Sequence, residues 1–263
     1  MAAVLVTIAG FQLFVLGEHT DRYFAWTIAS PITAAFIGAA YWSSLPLIIG
    51  GVRQQSWART RISFFSPFVF TSCMLVATLL HLGALHLHAA RGFAVFAAWA
   101  WIAVYVLVPA AEIVVLFFQL RAPGCDPPRI AQLSSAIRIA LSIQAAVMLV
   151  VGAALFALPQ TASALWPWNL TAFTAQVVGG WLLGLGVAGA QAVWENDWAR
   201  VTYAILSYFA FGFLQAVVLL RYGFSLDWIH ARSAIYVAFI ASIVFISAWS
   251  MVVGRSALNT NRT

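Results

Sequence analysis

Five histidines could bind a metal ion or move a proton: His19, His81, His86, His88 and His230. Each lies at the end of a long apolar run, and Glu18, Asp21 and Asp227 fall close to them in sequence. Imidazole and carboxylate are the usual donors for zinc or copper. His19, His86, His88 and His230 are therefore the candidate ligands of a transition metal, the one cofactor the sequence raises. His86-x-His88 is a weak signal alone, so a metal site depends on three loops converging. The competing reading is that these side chains solvate short loops, whose polarity needs no ligand.

Glu112 is the one carboxylate inside an apolar run. Trp101, Tyr105, Pro109, Glu112 and Gln119 recur at helical spacing and share a face. Pro109 frees the carbonyl of Tyr105, four residues earlier. Glu112, Tyr105, Gln119 and His81 form the candidate intramembrane polar site. A carboxylate at such depth costs on the order of 3 kcal/mol unless it is paired or neutral. Glu112 is thus expected to face the interior of a helix bundle, either relaying protons or bonding a neighbouring helix.

Other chemistries find less support. A bis-histidine haem needs two imidazoles at similar depth on facing helices, and only His81 lies inside a run. A retinal Schiff base needs lysine, and all 13 basic residues are arginine. No P-loop, zincin helix, nucleophile elbow or dinucleotide fingerprint occurs. Cys73 in a run and Cys125 in a loop predict neither a disulfide nor a thiolate metal site. The sequon at Asn169–Thr171 is too short a match to count.

These residues must be positioned by membrane helices. The 263 residues are 63% hydrophobic and 8% charged, with mean hydropathy +0.95. Soluble domains are usually about 45–50% apolar and about 25% charged, so lipid must be the solvent for much of this surface. Eight runs approach the roughly 20 residues a span requires. They cover Ala2–Leu16, Pro31–Gly51, Ile62–Leu85, Phe93–Leu120, Ile137–Leu158, Thr171–Val193, Val201–Leu220 and Ser233–Val253. The first is short and is expected to lie partly in the interface. No Lys or Arg precedes it, which disfavours a cleaved signal peptide. The net charge of +6 comes from arginines at run ends. That pattern belongs to topology rather than nucleic-acid binding. Arginine without lysine, with abundant alanine, points to a GC-rich bacterial genome.

The two halves match at a constant offset of 141. Thr33-Ala34 aligns with Thr174-Ala175, Gly38 with Gly179, and Trp57-Ala58-Arg59 with Trp198-Ala199-Arg200. Ser66, Phe68 and Phe70 align with Ser207, Phe209 and Phe211, Arg91 with Arg232, and Arg121 with Arg262. The expected fold is an all-α integral membrane protein of eight transmembrane helices, arranged as two parallel four-helix repeats. Residues 1–121 form the first repeat, 122–136 a Pro/Gly-rich cytoplasmic linker, and 137–263 the second repeat. Four spans return the chain to its starting side, so both repeats share one orientation.

Arginine counts favour both termini in the cytoplasm, nine residues inside against four outside. The histidines then fall at the outer face of the cell membrane. Trp57, Arg59, Trp198 and Arg200 are expected to be interfacial anchors, with indole rings between headgroup and tail and guanidinium groups on lipid phosphate. Gly180 and Gly184 stand in G-x-x-x-G spacing, which allows close helix approach within the bundle or to another membrane subunit. The leading functional expectation is a non-catalytic subunit or scaffold of a larger membrane complex. The alternatives are a small transporter or channel using Glu112, and a metal- or cofactor-binding membrane protein using the outer histidines.

Overall fold

In lipid every backbone N–H and C=O must be bonded within the protein, which leaves helices as the elements open to an apolar chain of this kind. The computed structural model describes residues 1–88 and 92–260, and they are helical with short connections. Arg91 and Arg262, used in the matching and the arginine count above, lie outside the described residues. The helices are α1 (Ala2–Phe14), α2 (Thr20–Tyr23), α3 (Pro31–Ser43), α4 (Leu45–Arg53), α5 (Trp57–Thr60), α6 (Ile62–Leu80), α7 (Phe93–Arg121), α8 (Ser135–Ala157), α9 (Pro159–Ala162), α10 (Ala172–Glu195), α11 (Trp198–Tyr222) and α12 (Ala231–Thr260).

Local chemistry sets several of these boundaries. Pro31 opens α3, where its missing N–H costs nothing. Thr171 and Thr174 form a reciprocal capping box at the start of α10. Asn196 ends α10 in the left-handed conformation, at φ +45°. Asp197 then caps α11 by accepting from the Ala199 N–H at 3.4 Å.

Among the described residues, seven helical stretches are long and apolar enough to cross a membrane: Pro31–Arg53, Ile62–Leu80, Phe93–Arg121, Ser135–Ala157, Ala172–Glu195, Trp198–Ser225 and Ala231–Leu258. The first run departs from expectation. Helix α1 has 13 residues, about 20 Å at 1.5 Å per residue, against a hydrocarbon core of about 30 Å. The chain then bends by 85° into Gly17–Tyr23. The third run also stops early, at Leu80, because Leu85 leaves the helix to bridge Trp26.

Helices α3 and α10 are the most enclosed. Helix α1 lies on α3, and α8 lies on α10. Helix α3 also packs on α11, and α10 on α6, so each central helix meets a helix from the other half of the chain. Helices α7 and α12 lie outboard on α6 and α11. Element starts recur at one spacing of 141: residues 31 and 172, 57 and 198, and the 3-10 turns at 82 and 223.

Several of the residues matched in sequence lie at contacts between helices. A Cβ on Gly38 would strike the α1 backbone at Leu13 and Phe14. A Cβ on Gly179 would lie 2.8 Å from the Gly152 carbonyl oxygen and 2.9 Å from the Phe156 nitrogen, both on α8. Ser66 donates to the Gly184 carbonyl at 2.8 Å, and Ser207 accepts from the Leu47 N–H at 3.1 Å. Gly180 and Gly184 themselves face Met74, Cys73, Phe70 and Ser66 of α6. That glycine face is filled within the chain by α6.

Close backbone approach makes a direct prediction. Gly179→Ala should cost about 1–3 kcal/mol by overpacking, read as easier unfolding in mixed detergent micelles. Gly83→Ala, whose Cβ meets nothing within 4 Å, should leave that unfolding curve unchanged.

Candidate functional site

The charged groups gather at the two ends of the bundle, with Glu112 apart from both. At one end the turn between α10 and α11, "W-E-N-D-W-A-R", meets the linker and the start of α6. Glu195 is fully buried and takes Arg61 through two nitrogens. Its Oε2 also accepts from Arg200 at 2.9 Å. Arg61 reaches Asp126 at 2.7 Å, and Arg200 lies 3.3 Å from Asp197. Two guanidinium groups therefore meet three carboxylates. The Arg61 guanidinium also covers the Trp194 ring, 4.8 Å from its centroid. Asp197 Oδ1 accepts the Ile130 and Ala131 N–H groups at 3.2 and 3.0 Å, and Asn196 Oδ1 accepts that of Leu133 at 3.2 Å. The linker is thus pinned to the α10–α11 turn.

Two residues expected as interfacial anchors are buried instead: Trp198 is 2% exposed and Arg200 5%. Arg200 is held by carboxylates of its own turn, which offer charge without the cost of leaving it unpaired. Trp57 and Arg59 are half-buried, with the Trp57 ring on Phe64 and Phe65 at 5.5 and 6.0 Å. Glu195, Asp197, Arg61 and Asp126 were not singled out from sequence. The available signal was Asn-Asp directly after an apolar run, a helix stop followed by a helix cap.

All five histidines share the opposite end, yet they do not converge. His81 caps α6, bonds Gln176 of α10 at 2.8 Å and stacks on Phe173. His86 spends both ring nitrogens, on Thr27 Oγ1 at 2.9 Å and the Phe24 carbonyl at 3.0 Å. His230 bonds Asp227 at 2.7 Å. Asp227 is also bound by Arg232, which with His230 holds its carboxyl below the usual range. His19 and His88 are exposed. Among the described residues no three His, Cys, Asp or Glu side chains come together as a metal-binding set.

Between the two ends, the expected polar stripe on α7 is split. Tyr105 is buried and hydrogen-bonded to Tyr41. Glu112 and Gln119 are only half-buried, and no residue of α7 after Pro109 is buried. Glu112 Oε2 accepts from Thr71 Oγ1 at 2.7 Å. The stripe therefore starts in the core and runs out to the bundle edge, not along the interior throughout.

A cavity of about 310 Å³ opens at the histidine end, between the segments that lead into α3 and α10. Its hydroxyls come in two aligned pairs, Ser30 with Thr171 and Thr33 with Thr174, joined by the Asn169 amide. Trp168 Nε1 donates to Thr33 across this junction at 2.8 Å. Comparison with known protein families, curated proteins and solved structures returns no match.

The ion cluster is testable as a structural unit. Glu195→Ala removes the carboxylate shared by buried Arg200 and half-buried Arg61 and should cost about 3 kcal/mol. Asp126→Asn, with the carboxylate side chain 45% exposed, should cost no more than about 1 kcal/mol. Chemical unfolding followed by tryptophan fluorescence reads both.

Proposed function

We propose that this chain is a multi-pass cell-membrane protein of two parallel four-helix repeats, serving as a non-catalytic subunit or scaffold in a larger membrane complex. The recurring element starts and the reciprocal contacts of α3 and α10 support the repeats. The bent α1 segment counts as the eighth crossing in this reading. The arginine excess around the ion cluster supports that end as cytoplasmic, with both termini there.

The observation that carries the scaffold reading is the outer edge of α7. Ala94, Ala98, Trp101, Tyr105 and Pro109 are buried along one seam, and no residue from Ala110 to Arg121 is. On α12 the corresponding seam continues through Ser247, Ser250 and Gly254. Glu112 belongs to the 110–121 stretch, about 13 Å from Arg121 along the helix and so near mid-membrane. A carboxylate has room for about four hydrogen bonds, and Thr71 supplies one. Acyl chains supply none. A polar residue on a neighbouring chain's helix fits this edge, as polar groups do between membrane helices.

A transporter reading draws on a different feature, the paired hydroxyls around the cavity between α3 and α10. Solute flux into proteoliposomes, lost on Thr33→Val, would favour it. The scaffold reading expects none.

The decisive measurement for the scaffold is native mass after purification from its own membranes in mild detergent. A stoichiometric second chain should accompany the wild type and Glu112→Gln. Glu112→Leu should weaken its retention by about 5- to 30-fold. A chain that always emerges alone refutes the proposal. A reporter fused after Thr263 that is active only outside the cell refutes the orientation.

A further inference from the structure

Helices α11 and α12 part slightly at the ion-cluster end and leave a crevice of about 110 Å³. Trp198, Ile205, Met251 and Leu258 give it apolar walls, and Ser250 and Arg255 also line it. Gly254 keeps the crevice narrow by letting the Trp198 ring lie against the α12 backbone. A Cβ there would come within 2.6 Å of the indole.

Two polar groups in this crevice have no use within the fold. Ser250 is fully buried, and its Oγ has no hydrogen-bond partner. The other serines on α12 behave differently. Ser233, Ser242, Ser247 and Ser256 each donate to a backbone carbonyl. A buried hydroxyl left unbonded is costly, so this one is suited to an acceptor that arrives from outside. Arg255 is exposed and makes no ion pair among the described residues.

The spacing of these groups identifies the ligand class. Ser250 and Arg255 are five residues apart, about 7.5 Å along the helix axis. The interfacial layer on each side of a bilayer is about 5–8 Å thick. A phosphate at the level of Arg255 therefore brings the ester carbonyls of the same lipid to the level of Ser250. The chain below them would run along Ile205. A free phosphate would leave both the hydroxyl and the apolar walls unused. A zwitterionic headgroup would bring a second cation beside Arg255, and an anionic one does not.

We propose that the α11–α12 crevice holds one anionic phospholipid, with its phosphate on Arg255, an ester carbonyl on the Ser250 hydroxyl and an acyl chain along Ile205. The first half of the chain has no equivalent site. At an offset of 141, Pro109 stands for Ser250 and Val114 for Arg255. The lipid would brace the gap beside the ion cluster, where Trp198 is shared by both.

The test uses the full chain, delipidated in detergent and titrated with phosphatidylglycerol or phosphatidylcholine under native mass spectrometry. The wild type should retain phosphatidylglycerol about fivefold better, the scale of one interfacial arginine. Arg255→Gln should erase that preference and Arg255→Lys should keep it. Ser250→Ala should weaken both lipids by about threefold, the scale of one hydrogen bond, without changing their ratio. Glycerol 3-phosphate should not displace the lipid. Phosphatidylglycerol with brominated chains should quench a fluorescence component that Trp198→Phe lacks, a readout that needs no arginine variant. A preference unchanged in Arg255→Gln, displacement by glycerol 3-phosphate, or no Trp198-dependent quenching would each overturn the proposal.

Discussion

The structure depends on reciprocal packing between its two most enclosed helices and the opposite halves of the chain. Helix α3 is held by α11, and α10 by α6. Lipid offers helices no hydrophobic reason to associate, so close backbone approach and a few hydrogen bonds must do it. The approach across the halves is provided at Gly180 and Gly184 against α6, and the bonds run from Ser66 to Gly184 and from Gln215 to the Phe36 carbonyl. The segments leading into the central helices repeat the crossing. Trp26 lies 4.6 Å from the Phe173 ring, and Trp168 bonds Thr33. Neither half could keep its central helix enclosed without the other. One consequence is that the long linker between the halves must be held close to the bundle.

That requirement gives the ion cluster a physical role. The linker from Ala122 to Ser134 is extended and lacks helical hydrogen bonds of its own. Its N–H groups at Ile130, Ala131 and Leu133 are accepted by Asp197 and Asn196. Arg200 also holds the Pro127 carbonyl at 2.5 Å. The two W-A-R sites differ here for a readable reason. Gln54-Gln55-Ser56 precedes the first, and Glu195-Asn196-Asp197 precedes the second. Acids exist only on the second side, and arginines from both halves turn toward Glu195. Arg59 has no such neighbour and stays half-exposed.

The spans were legible because a bilayer demands long apolar runs and this chain has few interruptions. The matched positions stand out in sequence for a related reason. Gly38 and Gly179, or Ser66 and Ser207, are rare non-bulky or polar positions in such runs, and each sits at a contact between helices. What could not be read was direction around a helix. Helix α7 is apolar on every side up to Glu112, so no amphipathic pattern marks where its packed seam ends. The split between buried Tyr105 and half-buried Glu112 therefore left no trace in the spacing. The histidines failed differently. Sequence brought them to one end of the bundle, but loop-to-loop distances depend on tertiary contacts. There His86 is consumed by the Phe24–Thr27 segment and His81 by Gln176.

On the proposed duplication, the outboard helices α7 and α12 began alike, and their differences concentrate at one level. Pro109, Glu112 and Val114 on α7 stand where Ser250, Val253 and Arg255 stand on α12. Above that level both helices keep a packed seam against the bundle. From that level on, no residue of α7 is buried, and a carboxylate bonded to Thr71 sits at the edge. Helix α12 keeps its seam, seats Gly254 on Trp198, and carries a hydroxyl and a guanidinium without partners among the described residues. A polar group in a membrane span is retained only where something satisfies it. Where the outboard helices face the bundle their polar groups are satisfied, Tyr105 of α7 by Tyr41 and Tyr236 of α12 by Gln215. Beyond that seam the groups they carry are complementary: an acid that accepts on one, a hydroxyl and a guanidinium that donate on the other. The reciprocal core therefore acts as a frame. The two helices that the frame leaves outside carry the groups on which the proposed contacts with other molecules rest.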